Sequence, residues 1–315
     1  MTSDRKTLPA EELHSMLDPL RSFAKRTATV RSPENVFLNC LISSFVKTFE
    51  FADLSSKQEP KTAFFIVPAL RSIAEDIIYL RFLSPFPDEI RERVIADMQL
   101  LEVSKKSQKQ NAFFETFRSL QPVLPPTNLN EEEIKDRLRS FWSKNGWPNL
   151  QNRETPPVRD IAEKSDQGLL KVVYDFIYRL TSSMVHFDPQ ILLRAGWGKI
   201  PEGPIIFSCA HMGLYYLAAS RIYGSFLLCL YFEFFSQFLT PGEEEQRAVA
   251  EIRRYLLLVC RWPEMVTFEE MNLSVPFANP HILIRATLTR MMKEECSPML
   301  ENGFIAGAKQ MLKEK

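Results

Sequence analysis

Glycine is scarce in this chain: 10 residues in 315, against 21 prolines. Few glycines disfavour a turn-dense β protein, and many prolines point to helices cut into lengths by stiff connections. Net charge is absent too, with 39 Lys+Arg balancing 39 Asp+Glu. That balance argues against a protein that coats duplex nucleic acid through a broad basic face, and leaves room for a small basic pocket. Cysteines are few, odd in number and scattered (Cys40, Cys209, Cys229, Cys260, Cys296). No pair has a CxxC spacing, so a disulfide framework is excluded and reduced thiols in a cytoplasmic protein are expected. The phosphate-cradling motifs GxGxxG and GxxxxGK[ST], the zinc motif HExxH and the nucleophile elbow GxSxG are all missing. His14, His186, His211 and His281 sit in separate segments, so no metal site and no cofactor are expected. The N-terminus lacks the apolar core of a secretory signal. The longest apolar run, residues 222–239, barely reaches spanning length, carries Glu233 and Gln237, and follows Arg221. It reads as a buried core helix, with no membrane partner.

The 45% hydrophobic and 25% charged residues are ordinary globular values. Apolar positions in residues 9–30 fall at Leu13, Met16, Leu17, Leu20 and Phe23, the three-four spacing of an amphipathic helix. Ser32-Pro33-Glu34 reads as a helix start for residues 33–53. A third helix is expected over 60–84, kinked or begun at Pro68, then a charged one from Pro87 to about 110. A short helix is expected at 131–144 between loops, within an excursion from the core at about 111–158. A strong helix is expected from about 158 to 186, ending before Pro189. Further helices are expected at 210–239, 242–261, 268–272, 279–295 and 298–313. The fold class is therefore all-α: a multi-helix bundle with a short hairpin or irregular segment near 196–207. Residues 1–198 form a bundle, and 199–315 pack on it, as a second part or as one continuous domain.

Chemistry concentrates on KVVYDFIYRLTSSMVH, residues 171–186. Val173, Phe176, Ile177, Leu180 and Met184 make its core stripe. Asp175, Arg179, Ser182 and His186 follow i, i+4, i+7, i+11 and line up on another face. An acid, a guanidinium, a hydroxyl and an imidazole in line suggest either a hydrogen-bonded structural seam or a reactive site. Both readings stay open. Arg71 and Glu75, four apart in the apolar third helix, are either an ion pair that satisfies itself or the second half of one interhelical cluster. The aromatic run from Tyr215 to Phe238 has helical spacing and reads as core rather than as a base-stacking surface.

Arg179 and His186 satisfy R-x6-H, and in this they resemble the motif of the HEPN ribonucleases. Leu180 directly follows the arginine, where that motif often has Asn, Asp or His. The resemblance implies a dimerising helical bundle that cleaves RNA without metal. Three longer stretches, residues 70–83, 178–198 and 262–272, resemble the bacterial domain-of-unknown-function family numbered 5677. The resemblance spans about 60–275 and rests on an R-x-x-x-E helix (Arg71, Glu75) and an S-x-x-VH helix end (Ser182, Ser183, Val185, His186). It implies a helical protein associated with anti-phage defence, and it directs attention to Arg71, Glu75, Arg179, Ser182 and His186. Arg194 and Trp197, just after the His186 turn, are placed to close over the cluster. Otherwise Trp197 plugs the core edge and Arg194 reaches solvent.

The leading expectation is a bacterial effector that binds or cleaves RNA in anti-phage defence or toxin–antitoxin biology. It is a candidate metal-independent endoribonuclease, with RNA, further copies of itself and a defence-system protein as partners. His186 would act as general acid/base and Arg179 as phosphate clamp, with Glu75 and Arg71 orienting them. The alternatives are a non-enzymatic interaction scaffold in which the cluster is structural, and a small-molecule sensor.

Overall fold

A computed structural model describes residues 10–29, 34–117, 129–150, 153–165, 168–186, 188–194 and 208–266. Among them every regular element is helical, in keeping with the all-α expectation: α1 (Ala10–Thr29), α2 (Val36–Lys57), α3 (Pro60–Ile66), α4 (Ala69–Leu83), α5 (Asp88–Phe117), α6 (Glu131–Lys144), α7 (Val158–Lys164), α8 (Gly168–Val172), a π-helical turn (Val173–Tyr178), α9 (Arg179–Ser182), α10 (Pro189–Arg194), α11 (Gly213–Leu239) and α12 (Glu243–Leu258). The segment 196–207, Trp197 and the three helices expected after 267 lie outside the described residues.

Helix α11 is the axis of the bundle and packs against α2, α3, α4 and α12. It is apolar almost all round, and 72% of its most hydrophobic stretch is buried in the protein. A helix without a polar face is stable only when other helices surround it. Leu13, Leu17, Leu20 and Phe23 of α1 are buried, as their spacing requires. Pro68 divides α3 from α4 because its ring cannot continue the preceding turn.

Side chains from distant helices close the helix ends. The N-cap of α2 is Asn35, whose Oδ1 accepts from Leu38 N at 2.7 Å. The Ser32 placed there by sequence lies outside the described residues. The Glu92 carboxylate of α5 accepts from the next two orphan donors, Val36 N and Phe37 N. At the other end, the Arg221 guanidinium donates to the carbonyls of Ser55, Ser56 and Gln58 at 2.9–3.1 Å. A cation at a helix C-terminus also opposes the macrodipole.

The middle of the chain is packed into this core. Ile134, Leu138 and Trp142 of α6 are buried and α6 lies along α5. The chain leaves α6 through Gly146, whose φ of +98° is open to glycine at little cost. Trp147 N donates back to Trp142 O at 3.0 Å, closing a Schellman turn.

One close approach gives a stability prediction. A Cβ on Gly213 would lie 2.4 Å from Pro60 O and 2.8 Å from its carbonyl carbon. Helix propensity favours alanine over glycine by about 0.5–1 kcal/mol, whereas forcing backbone apart in a packed interface costs about 1–3 kcal/mol. Gly213 opens α11, where propensity counts least. Gly213→Ala is expected to lower the denaturation midpoint, and an unchanged or raised midpoint would contradict the α3–α11 contact.

Candidate functional site

The strong helix expected over 158–186 is four pieces: α7, α8, the π turn and α9. The π turn carries hydrogen bonds one residue longer than an α turn, and such turns often sit at functional sites. It changes the register on which the aligned stripe was reckoned, because a seven- or eleven-residue spacing crosses a wider turn. The core side of the stripe survives, with Val173, Ile177 and Leu180 buried and Phe176 and Met184 half-buried. The polar side separates into parts.

Asp175 stays with Arg179, at 3.6 Å. Its closer partner is Lys171, one turn earlier, at 2.5 Å. Lys171 first, and then the more distant Arg179 and Arg159, hold the Asp175 carboxyl below the ordinary carboxylate range. Ser183 Oγ donates to Leu180 O at 2.8 Å, while Ser182 O accepts from His186 N at 3.2 Å. His186 itself is exposed. Among the described residues, no hydrogen bond or ion pair joins its imidazole to Arg179, Asp175, Glu75 or Arg71.

Helix α4 does pack against the π turn and α9, but the Arg71–Glu75 ion pair is not made. Arg71 Nη2 instead donates to the Tyr178 hydroxyl at 2.9 Å. Its guanidinium also lies 5.0 Å from the centre of that ring, a cation–π contact. The phenol competes successfully because it supplies an acceptor and a π face together, across the helix interface. Glu75 is left half-buried, and burial pushes its carboxyl above the ordinary range. Arg71 and Lys47 oppose that rise, and Asp76 adds to it.

The sign of that shift sets a pH dependence. The folded chain holds the Glu75 proton longer than the unfolded chain, so the contribution is favourable at low pH. It declines as pH rises from the ordinary carboxylate range through the folded-state value. Glu75→Gln removes the ionisation, so the variant should gain stability relative to wild type between pH 4 and pH 8. Guanidinium midpoints across that range are the measurement, and the opposite trend would rule out a desolvated carboxyl.

Arg194 neither closes over the cluster nor reaches solvent. It is 2% exposed, lies 5.1 Å from the Tyr215 ring centre and donates to Met265 O at 2.6 Å. Tyr215 donates to the neighbouring Glu264 O at 2.7 Å. Arg194 thus ties α10 to α11 and to the segment after α12. Burial next to a ring and a carbonyl favours a guanidinium, which is more weakly hydrated than an ammonium. Most of the aromatic run in α11, including Tyr216, Tyr223, Tyr231 and Phe235, is core.

Sequence reasoning passed over the tyrosines. Tyr174 and Tyr178 stack at 4.8 Å with 22° between their planes, and Arg179 lies 5.8 Å from the centre of the Tyr174 ring. With Tyr79 of α4 and residues 153–159 they line a cleft of about 380 Å³. Tyr79 donates to Pro156 O at 3.1 Å, and burial raises its phenol to about 12. The i, i+4 pair of tyrosines was the available signal. Their location beside 153–159 was not, because that neighbour comes from another part of the chain. Among the described residues no group of histidine, cysteine and carboxylate side chains has the arrangement of a metal site.

Residues 54–197 match a protein family described as Family of unknown function (DUF5677). The match takes in Arg71, Glu75, the cleft and the Ser182–His186 helix end, and stops short of the 262–272 stretch. Neither a curated protein nor a solved structure matches the chain.

Proposed function

We propose that the segment carrying this family match is the RNA-handling part of a bacterial effector, one that cleaves RNA without metal in anti-phage defence or toxin–antitoxin biology. The observation that carries the reading is the accessibility of the two groups such chemistry needs. Arg179 and His186 are both exposed, seven residues apart and downstream of the π turn. Across that interval Ser183 N bonds to Arg179 O and His186 N to Ser182 O, so the chain keeps turning in the helical sense from the guanidinium to the imidazole.

In this reading Arg179 holds the scissile phosphate and steadies the charge that develops on it, as a planar guanidinium does well. His186 takes the proton of the attacking hydroxyl, and the imidazole of a second copy returns one to the leaving oxygen. A homo-oligomer follows from that requirement, with a defence-system protein as further partner. Arg71 and Glu75 act at a distance: Arg71 fixes Tyr178, whose chain neighbour is Arg179. The test compares growth and total RNA when wild type and His186→Ala are expressed at matched levels. Restored growth with intact RNA in the variant is expected. Equal toxicity, or intact RNA in both, overturns the catalytic role.

A second reading has its own support. The Arg71–Tyr178 contact and the interior Glu75 are features of a helix interface, and they suit a non-enzymatic interaction module. There, loss of Arg71 would change stability and leave every RNA measurement unmoved.

A further inference from the structure

We infer that the cleft between Tyr79, the 153–158 segment and the π turn takes one nucleotide unit of single-stranded RNA, its base against tyrosine and its phosphate at the arginines. The inference rests on the RNA reading above and extends it from the reacting groups to the group that selects substrate.

Three features of the cleft converge on that ligand. Its volume, about 380 Å³, falls within the range of about 300–1,000 Å³ usual for small-ligand sites, and one nucleotide is of that order. Its walls carry three phenol rings, Tyr79, Tyr174 and Tyr178. Tyr178 is taken up by Tyr174 and Arg71, so Tyr174 is the ring assigned to the base, and an aromatic face accepts any base by stacking. Its rim carries two guanidiniums. Arg159 is shared with Glu163 at 2.8 Å and remains more than half exposed. Arg153 is exposed and has no side-chain ion pair among the described residues, so its charge is not internally neutralised. The remaining acid at the rim, Glu154, is engaged by Lys105 at 2.9 Å and does not oppose an incoming phosphate at full charge.

The position of the cleft connects it to the proposed chemistry. Tyr174 is both a wall residue and the ring 5.8 Å from the Arg179 guanidinium. A base held at Tyr174 therefore lies beside Arg179. Duplex RNA is a poor fit, because its bases are already stacked and paired, while single strands can splay a base out onto an aromatic side chain. Charge neutrality of the whole chain points the same way: affinity has to come from stacking and two local cations. For a single strand the salt dependence should then be shallow, a log–log slope of about −1.4 for two phosphate contacts.

The experiment uses the full chain carrying His186→Ala, so that RNA is bound and not consumed, with a fluorescein-labelled single-stranded 12-mer as probe. Fluorescence anisotropy is read for this parent and for the same protein carrying Tyr174→Ala, Tyr174→Phe or Arg153→Ala. Adenosine monophosphate serves as competitor, to separate a chain-bound from a free nucleotide. Expected results are a loss of about tenfold or more in affinity for Tyr174→Ala and for Arg153→Ala, with Tyr174→Phe within twofold of the parent. Competition by the mononucleotide should require the intact tyrosine. Matching thermal midpoints for the alanine and phenylalanine variants separate loss of binding from loss of fold. Affinities within twofold of the parent for both alanine variants overturn the inference, as does a parent that binds neither probe. If Tyr174→Ala weakens binding while His186→Ala leaves toxicity unchanged, the nucleotide site stands and the nuclease falls. If the cleft variants bind normally while His186→Ala abolishes cleavage, the reverse holds.

Discussion

On the ribonuclease reading, His186→Ala is expected to slow RNA cleavage by about 10²–10⁴-fold, the usual contribution of a positioned general acid or base, while leaving the fold intact. The second half of that expectation makes the first informative. The imidazole is exposed and makes no side-chain hydrogen bond or ion pair to a described residue, so its removal should shift stability by no more than about 0.5 kcal/mol. Purified wild type and variant, given the same labelled single-stranded RNA, supply both numbers: a cleavage rate and a denaturation midpoint. Arg179→Lys is the natural companion. It keeps a positive charge near Asp175 and loses the planar fork that grips two phosphate oxygens, so activity should fall while stability holds. Arg179→Ala would confuse the two effects, because the Asp175 ion pair at 3.6 Å would go as well. A histidine variant that cleaves at the wild-type rate would leave the exposed imidazole without a chemical role.

The largest effect on stability is expected from Trp142→Ala, about 3–5 kcal/mol. Trp142 is fully buried and meets three aromatic neighbours: Phe82 at 5.5 Å and 26°, Phe141 at 4.8 Å, and Trp147 at 5.7 Å. Phe82 belongs to α4 and Trp147 to the turn after α6, so one side chain joins the middle of the chain to the central helices. Alanine would leave a cavity that rings held by their own helices cannot fill by collapse. Trp142→Phe should cost clearly less, for two reasons. More of the volume is kept, and the buried indole N–H, which has no acceptor among the described residues, is removed with its desolvation cost. Guanidinium unfolding of the three proteins gives the ranking. A loss below about 1 kcal/mol for alanine would mean that α6 is not an integral part of the core.

That integration bears on how far the amino-acid order could be read. The helix at Glu131–Lys144 was bounded correctly because an asparagine cap, a run of acids and a following glycine are all local signals. Its isolation as an excursion rested on the proline-rich loops beside it. Loop composition says nothing about whether Ile134, Leu138 and Trp142 find apolar partners in space. The candidate site residues divide in the same way. Arg179 with Asp175 was legible, because a spacing of four brings side chains together on any regular helix. Arg71 with Tyr178 was not: the residues are 107 positions apart, and only the packing of α4 on the π turn brings them within reach.

Scarce glycine, frequent proline, three-four apolar spacing and a long, mostly apolar run over 222–239 were enough to set an all-helical protein with one enclosed helix, since burial of apolar surface dictates those patterns locally. Which polar groups meet was settled by helix packing. A widened turn at Val173–Tyr178 moved the register of the polar stripe. Tyr178 drew Arg71 away from Glu75, Arg221 was used to close α2, and Arg194 was taken up by Tyr215 and Met265 O. The physical reason is that periodicity reports one face of one helix, whereas a charged group pairs with whatever acceptor the neighbouring helix presents once the apolar faces have been matched.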